Sequence, residues 1–273
     1  MPDGSAWSEA LARTTDLGVV AHPDDLELLA LPGILACVDD PARSFAGVVC
    51  TDGAGSVRAG PVADLSDGEL AEVRWVEQCE AAVLGRYGAV AGLGRSSADI
   101  RSVPGQMALI DELVEIIDAA RPVNVYTHNP ADSHESHVAV VAAVIHAIRR
   151  LPWSARPHRL VGVEGWRGLD WLAPGETLRL DVSGHGGLAD DLLAAHRSQI
   201  DAGKRYDAAA RGRRHANATF GEPRSADRAE EVVLALDLSP LIHNDDLDPV
   251  AFVLSAIDRF RDDVDRSWSR WFG

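Results

Sequence analysis

The chain has 273 residues, a formal net charge of −16 and 46% hydrophobic residues, which is enough apolar material to bury one large core and too much for a disordered chain. Its acidic balance excludes a protein that grips nucleic-acid phosphates, since that needs a basic footprint. It equally argues against docking on an anionic membrane surface.

In chain order, Leu17–Ala21 reads as a strand, Asp25–Val38 as a helix and Phe45–Cys50 as a second strand. Asp67–Gly85 reads as a helix opened by the capping box Ser66–Glu69. A short strand over Ala89–Leu93 follows. Met107, Ile110, Leu113, Val114 and Ile117 then keep helical spacing until Arg121-Pro122 stops them. Val123–Thr127 is a strand, Ser133–Arg149 a helix and Leu160–Val163 a further strand. This alternation predicts a Rossmann-like three-layer α/β sandwich around a mostly parallel sheet.

Beyond Val163 the rhythm changes. Trp166–Trp171 is a loop, Leu178–Val182 and Val232–Leu238 resemble strands, and Leu188–His196, Lys204–Arg211 and Val250–Val264 look helical. No linker separates the parts. The expectation is a single domain over 1–273, with a core over 1–165 and a C-terminal elaboration over 166–273 that shapes the substrate mouth.

Ligands of parallel sheets bind beyond the carboxyl ends of the strands, and three polar clusters begin there: AHPDD from Ala21, TDGAGS from Thr51 and THNPADSHESH from Thr127. His22 and Asp25 leave a strand end three residues apart, so one tight turn can aim both at a point. Asp132-Ser133-His134-Glu135 has the form of a capping box with Asp132 as N-cap. His134 and His137 then share the first turns of a helix, whose positive end favours the neutral imidazole that binds metal. Two imidazoles and a carboxylate with an open position form the usual set for a catalytic zinc. His22, Asp25 and His137 are therefore the candidate ligands, with Asp24 and His134 left for proton work. Taken singly, each cluster has a plainer reading: HPDD as a helix cap, and HxxH as a solvated helix face.

AHPDDLE resembles the AHPDDxE signature of the LmbE-like, or PIG-L-type, zinc-dependent N-acetylglucosamine deacetylases. The resemblance runs through Thr51-Asp52-Gly53, Arg74 and Glu77, Ala81–Gly85 and His137-Val138-Ala139-Val140. It implies metal ligation by His22, Asp25 and His137, with Asp24 as general base and a protonated His134 as acid and transition-state stabiliser. It also implies that Arg74 faces the substrate and that Asp52 stands beside it. Zn2+ is the implied cofactor, with Fe2+ or Co2+ as alternatives. The implied reaction is hydrolysis of an N-acetyl amide by metal-activated water, on an N-acetylglucosamine-bearing small molecule or glycoconjugate. A glycosylated natural product such as a glycopeptide antibiotic is one context; a mycothiol-type deacetylase or a conjugate amidase is the alternative. A sugar-binding module without catalysis is disfavoured because Asp24 is kept. This chain departs from the pattern at Ser136, where many members carry Asp, and at Leu28-Leu29-Ala30-Leu31, where glycines are usual.

Other features are weaker. Gly53–Arg58 imitates a dinucleotide loop but lacks its last glycine. Trp166 and Trp171 are placed either to stack on a sugar or to pack. His128, His185, His196 and His215 read as ordinary histidines. Cys37, Cys50 and Cys79 show no metal or disulfide spacing. The first residues lack a signal-peptide pattern and no apolar run spans a bilayer, so the expectation is a cytoplasmic protein of open oligomeric state.

Overall fold

The computed structural model describes residues 1–2, 4–173, 175–221 and 224–272. Its sheet has seven strands: β1 (Asp16–Val20), β2 (Phe45–Thr51), β3 (Ala89–Arg95), β4 (Asn124–His128), β5 (Arg159–Val163), β6 (Thr177–Asp181) and β7 (Val232–Asp237). They lie in the order β3-β2-β1-β4-β5-β7-β6. The first five are parallel, with Gly18 of β1 opposite Gly47 of β2 and Tyr126 of β4. β7 runs antiparallel to both β5 and β6, so the elaboration extends the sheet beyond its parallel core.

The helices are α1 (Trp7–Ala12), α2 (Asp25–Leu29), α3 (Leu31–Asp39), α4 (Asp67–Leu84), α5 (Ser97–Ile100) and α6 (Val103–Ala120), followed by α7 (Glu135–Arg150), α8 (Gly186–Ala194), α9 (Arg197–Ile200), α10 (Tyr206–Thr219), α11 (Ser239–His243) and α12 (Pro249–Phe272). Strand side chains alternate between two cores, as their period of two requires. Leu17, Val19, Val48, Val125 and Leu160 meet α6 and α7 on one face. Val20, Val49, Tyr126, Val161 and Ala235 meet α2, α3, α4 and α8 on the other. This is the three-layer sandwich expected from the sequence.

Several elements differ from the expectation. The helix over Asp25–Val38 is two helices, broken at Ala30 (φ −96°, ψ 10°). The cause is Pro32, which has no N–H for the carbonyl four residues back and sits in the first turn of α3. α7 starts at Glu135 and is capped by His134, whose ring accepts the Ser136 N–H, and not by Asp132. α10 and α12 run past their expected ends, to Thr219 and Phe272. α12 buries only Ala256 and leaves Trp268, Trp271 and Phe272 in solvent. Among the described residues, no helix is long and apolar enough to cross a membrane.

Sheet order reverses between β1 and β4, and the loops leaving their carboxyl ends carry AHPDD and THNPADSHESH. α2 lies close on the sheet there because β1 and β2 offer it glycines. A Cβ on Gly18 would stand 2.6 Å from Leu26 Cδ2, and one on Gly47 2.5 Å from Leu26 Cδ1. Leu26 is fully buried and has no room to retreat. Gly47→Val should therefore lower stability by about 1–3 kcal/mol, the usual cost of overpacking. A denaturant midpoint unchanged from wild type would refute that close approach.

Candidate active site

Three donor atoms meet beyond the ends of β1 and β4. His22 Nδ1 lies 3.1 Å from Asp25 Oδ2 and 3.3 Å from His137 Nε2, and His137 Nε2 lies 3.4 Å from Asp25 Oδ2. Ligands of a tetrahedral zinc, bound at ~2.0–2.1 Å, stand about 3.3 Å from one another. The triangle thus has the size of one face of such a coordination shell. Two imidazole nitrogens at 3.3 Å with a carboxylate between them need either a shared proton or a cation to offset their lone pairs. The donor set fits a divalent metal.

The local chain explains the convergence. Ala21 N–H donates to His128 Nε2 (2.9 Å), tying the end of β1 to β4, and His22 N–H donates to Asp25 Oδ2 (2.8 Å), closing the turn. Burial opposes ionisation of Asp25, but His137 and His22 outweigh it and hold its carboxyl well below the ordinary carboxylate range. Burial also opposes charge on His137, yet Asp25 and Asp132 prevail and raise its pKa.

Asp132 is the functional residue that the sequence reading assigned wrongly, as a helix cap. Its Oδ2 lies 3.1 Å from His137 Nδ1, so it holds the ring with Nε2 turned to the triangle. It also accepts the backbone N–H groups of His134, Trp166 and Arg167. A carboxylate behind a ligating histidine fixes its tautomer and raises its basicity. The service that Ser136 cannot provide is thus performed from five residues upstream.

Asp24 adopts φ +97°, a backbone region that side-chain-bearing residues rarely enter, so the surrounding structure must hold it there. Its N–H donates to Gln78 Oε1 (3.2 Å), and its Oδ2 accepts from Arg74 Nη2 (3.0 Å). The Arg74 guanidinium, buried at 4% exposure, also donates to the Pro23 and Gly53 carbonyls. Arg74 borders the larger cavity, and its Nη1 and Nη2 also donate to Asp24 and to the loops beside it. Burial raises the Asp24 carboxyl pKa against the pull of Arg74, which suits a group that accepts a proton.

His134 Nδ1 accepts the Ser136 N–H (3.3 Å), which places the ring hydrogen of the neutral form on Nε2. Burial and the neighbouring His137 and His22 lower its pKa. His134 therefore favours the neutral form, with its ring hydrogen on Nε2.

Two cavities join at Asp24 and Asp25. The larger, about 620 Å³, is bordered by His22, Ser56, Arg74, His134, Trp166 and Lys204. The smaller, about 180 Å³, is bordered by His137, Leu28, Leu29, Ala210 and Val233. Trp166 and Tyr206 belong to both, with rings 5.9 Å apart, and Lys204 Nζ stands 5.0 Å above the Trp166 ring. Trp166 is thus at the mouth. Asp52 is not: its Oδ1 accepts the Ala54 N–H (3.0 Å) and shapes its own loop, and it borders neither cavity. His196 holds Glu27, His185 holds Asp39, and His128 and His215 meet backbone groups; none of these four borders either of the two cavities. All three cysteines are free. Tyr206 and Arg213 reach the cavities from α10.

The family model of PIG-L, GlcNAc-PI de-N-acetylase, matches residues 17–148. No curated protein matches the chain. Among solved structures, N,N'-diacetylchitobiose deacetylase from Pyrococcus horikoshii is similar at 17% identity and a TM-score of 0.65, covering 92% of this chain and 93% of that one. The 4-carboxy-2-hydroxymuconate hydratase GalB from Pseudomonas putida KT2440 is similar at 15% identity and a TM-score of 0.63, covering 82% and 96%. A zinc-inhibited form of the teicoplanin deacetylase Orf2 is similar at 14% identity and a TM-score of 0.57, covering 86% and 100%. With a hydratase among them, these likenesses establish the fold and leave the reaction to be argued from the site.

His22→Ala, Asp25→Ala and His137→Ala should each remove most bound metal, because one lost donor of three dismantles the shell. Asp132→Asn should weaken metal affinity about 10–100-fold while the chain stays folded. Since the raised pKa of His137 lets protons compete for its Nε2, affinity should fall as the pH drops below neutrality. Elemental analysis after dialysis checks these, and stoichiometric metal in the three alanine variants would overturn the ligand set.

Proposed function

We propose that this protein, whose residues 17–148 form a domain of the PIG-L de-N-acetylase family, is a zinc-dependent hydrolase that removes an N-acetyl group from a glucosamine unit of a small glycoconjugate. One observation carries the reading: a donor triangle with sides of 3.1–3.4 Å stands beside a buried, non-ligating carboxylate where two cavities meet. A binding module has no need of that carboxylate, whereas amide hydrolysis needs a proton acceptor next to the attacking water.

His22, Asp25 and His137 would hold the ion, and a divalent ion there supplies Lewis acidity toward water and the amide carbonyl at neutral pH. Asp24 takes the proton of the attacking water at its carboxylate, which the raised pKa favours. Arg74 and Gln78 keep that carboxylate in place through its side chain and its backbone N–H. His134 Nε2–H donates to the oxygen on which negative charge develops, and the growing charge favours full protonation of the ring. The proton collected by Asp24 then goes to the departing amine.

The larger cavity combines backbone-rich loop residues Gly53, Gly55 and Ser56 with Trp166 and Lys204. That mixture of an aromatic face and polar groups suits a sugar. The likeness to a chitobiose deacetylase and to a teicoplanin deacetylase supports a glucosamine-bearing substrate, with a glycopeptide-type natural product as one context. Since the second of those has a zinc-inhibited form, zinc should be titrated alongside Co2+ and Fe2+.

Free-amine release from a panel of N-acetylglucosamine conjugates, before and after chelation and metal return, tests the reading. Metal-independent release, or no release from any conjugate by the metal-loaded protein, would reject it. Asp24→Asn should keep its metal yet lose about 10²–10⁴ in kcat, and the acid limb of the pH profile should change with it. Loss of metal in parallel with activity would make Asp24 part of the cage. Arg74→Ala should lower kcat more than it raises KM, because its hydrogen bonds go to Asp24 and its loop; the opposite split would return Arg74 to substrate contact.

A further inference from the structure

We infer that the smaller cavity is an acyl pocket, and that the enzyme takes N-acyl groups of about four to six carbons in preference to acetyl; this rests on the amide-hydrolase reading above. The metal-binding triangle sits at the junction of the two cavities. Asp24 and Asp25 border both, His22 and His134 border only the larger, and His137 borders only the smaller. An amide bound at that junction sends its two substituents in different directions, and the rooms differ in chemistry.

The smaller room is apolar where it leaves the triangle. Leu28 and Leu29 come from α2, Val233 from β7, and Ala209 and Ala210 from α10, with the Tyr206 ring alongside. Three of its polar borders already make hydrogen bonds within the chain. Glu164 accepts from Asn217 Nδ2 and the Leu234 N–H, Arg214 Nε donates to Glu231 (2.5 Å), and Arg213 donates to the Gly165 carbonyl. Hydroxyls of a sugar placed against that apolar wall would lack partners, each at a cost of about tenfold in binding. A hydrocarbon chain loses nothing and gains roughly fourfold per buried methylene.

Size agrees with that assignment. A dry apolar cavity of ~150 Å³ accepts a benzene-sized guest, and this one measures about 180 Å³. An acetyl methyl would fill only a small part of it. The alanines of α10 create the room, since larger side chains at Ala209 or Ala210 would project into it. Hydrolysis adds water across the amide C–N bond, releasing the fatty acid from this pocket and the amine from the larger cavity.

The test uses the metal-loaded full chain with N-acetyl-, N-butanoyl- and N-hexanoyl-glucosamine, read as free amine. Wild-type kcat/KM should rise with chain length, to about 10–100-fold for hexanoyl over acetyl. Ala210→Phe should cut the hexanoyl-to-acetyl ratio at least tenfold. If acetyl is cleaved and the longer amides are cleaved more slowly, the pocket assignment is overturned and the deacetylase reading stands. Calorimetry of hexanoate against acetate separates the remaining cases without turnover. Tighter hexanoate binding that Ala210→Phe abolishes supports the pocket even if none of the three amides is a substrate. Equal binding of the two acids overturns it.

Discussion

Everything about this site follows from placing two imidazoles and a carboxylate within 3.1–3.4 Å of one another at the ends of two adjacent parallel strands. Such a cluster is unfavourable by itself, because lone pairs and a buried negative charge crowd together. A cation reverses the balance, provided that each donor is held in the right tautomer and orientation. The holding groups are visible: Asp132 behind His137, the Asp25 turn closed by the His22 N–H, and His128 joining the end of β1 to β4. The close seat of α2 on Gly18 and Gly47 supplies the rigid floor.

A second tier of buried polar contacts joins this core to the C-terminal elaboration. Glu27, two residues past Asp25, accepts from Gln78 Nε2 (2.8 Å) and Tyr87 Oη (2.7 Å), while its other oxygen meets His196 Nε2 (3.0 Å). Gln78 passes the contact on to the Asp24 backbone. Glu77, one position earlier on α4, takes both the N–H and the hydroxyl of Ser198, and Ser56 donates to Gln199. The strained conformation of Asp24 is therefore braced partly by a segment more than 170 residues away in the chain. Such fully partnered networks are rigid, and partial removal of one is costly. The segment that braces Asp24, His196–Gln199, lies just before α10, which borders both cavities.

Parallel-core architecture is shared with a hydratase, so the specific chemistry here depends on side chains at the strand ends and on the wall that closes over them. In this chain α10 and β7 bring small residues against the apolar cavity, while Trp166 of the loop after β5, Lys204 and Tyr206 stand against the polar one.

The sandwich and the three donors of the triangle were legible in the sequence because the signals for both are local. Strand and helix periods set the layers, and the donors sit within five residues of a strand end or on the first turn of a helix. Pro32 was equally local, and its break in the helix after AHPDD was readable. What tertiary structure decided was every contact made across the chain. Arg74 turned to Asp24 because the loops after β1 and β2 enclose it, and Asp52 turned into its own loop. Asp132 left its capping role because His137 and the Trp166 loop offered it stronger partners. Spacing along a chain specifies which side chains can share a helix face or a turn; which of two available partners a buried carboxylate takes depends on what the fold brings within about 3 Å of it.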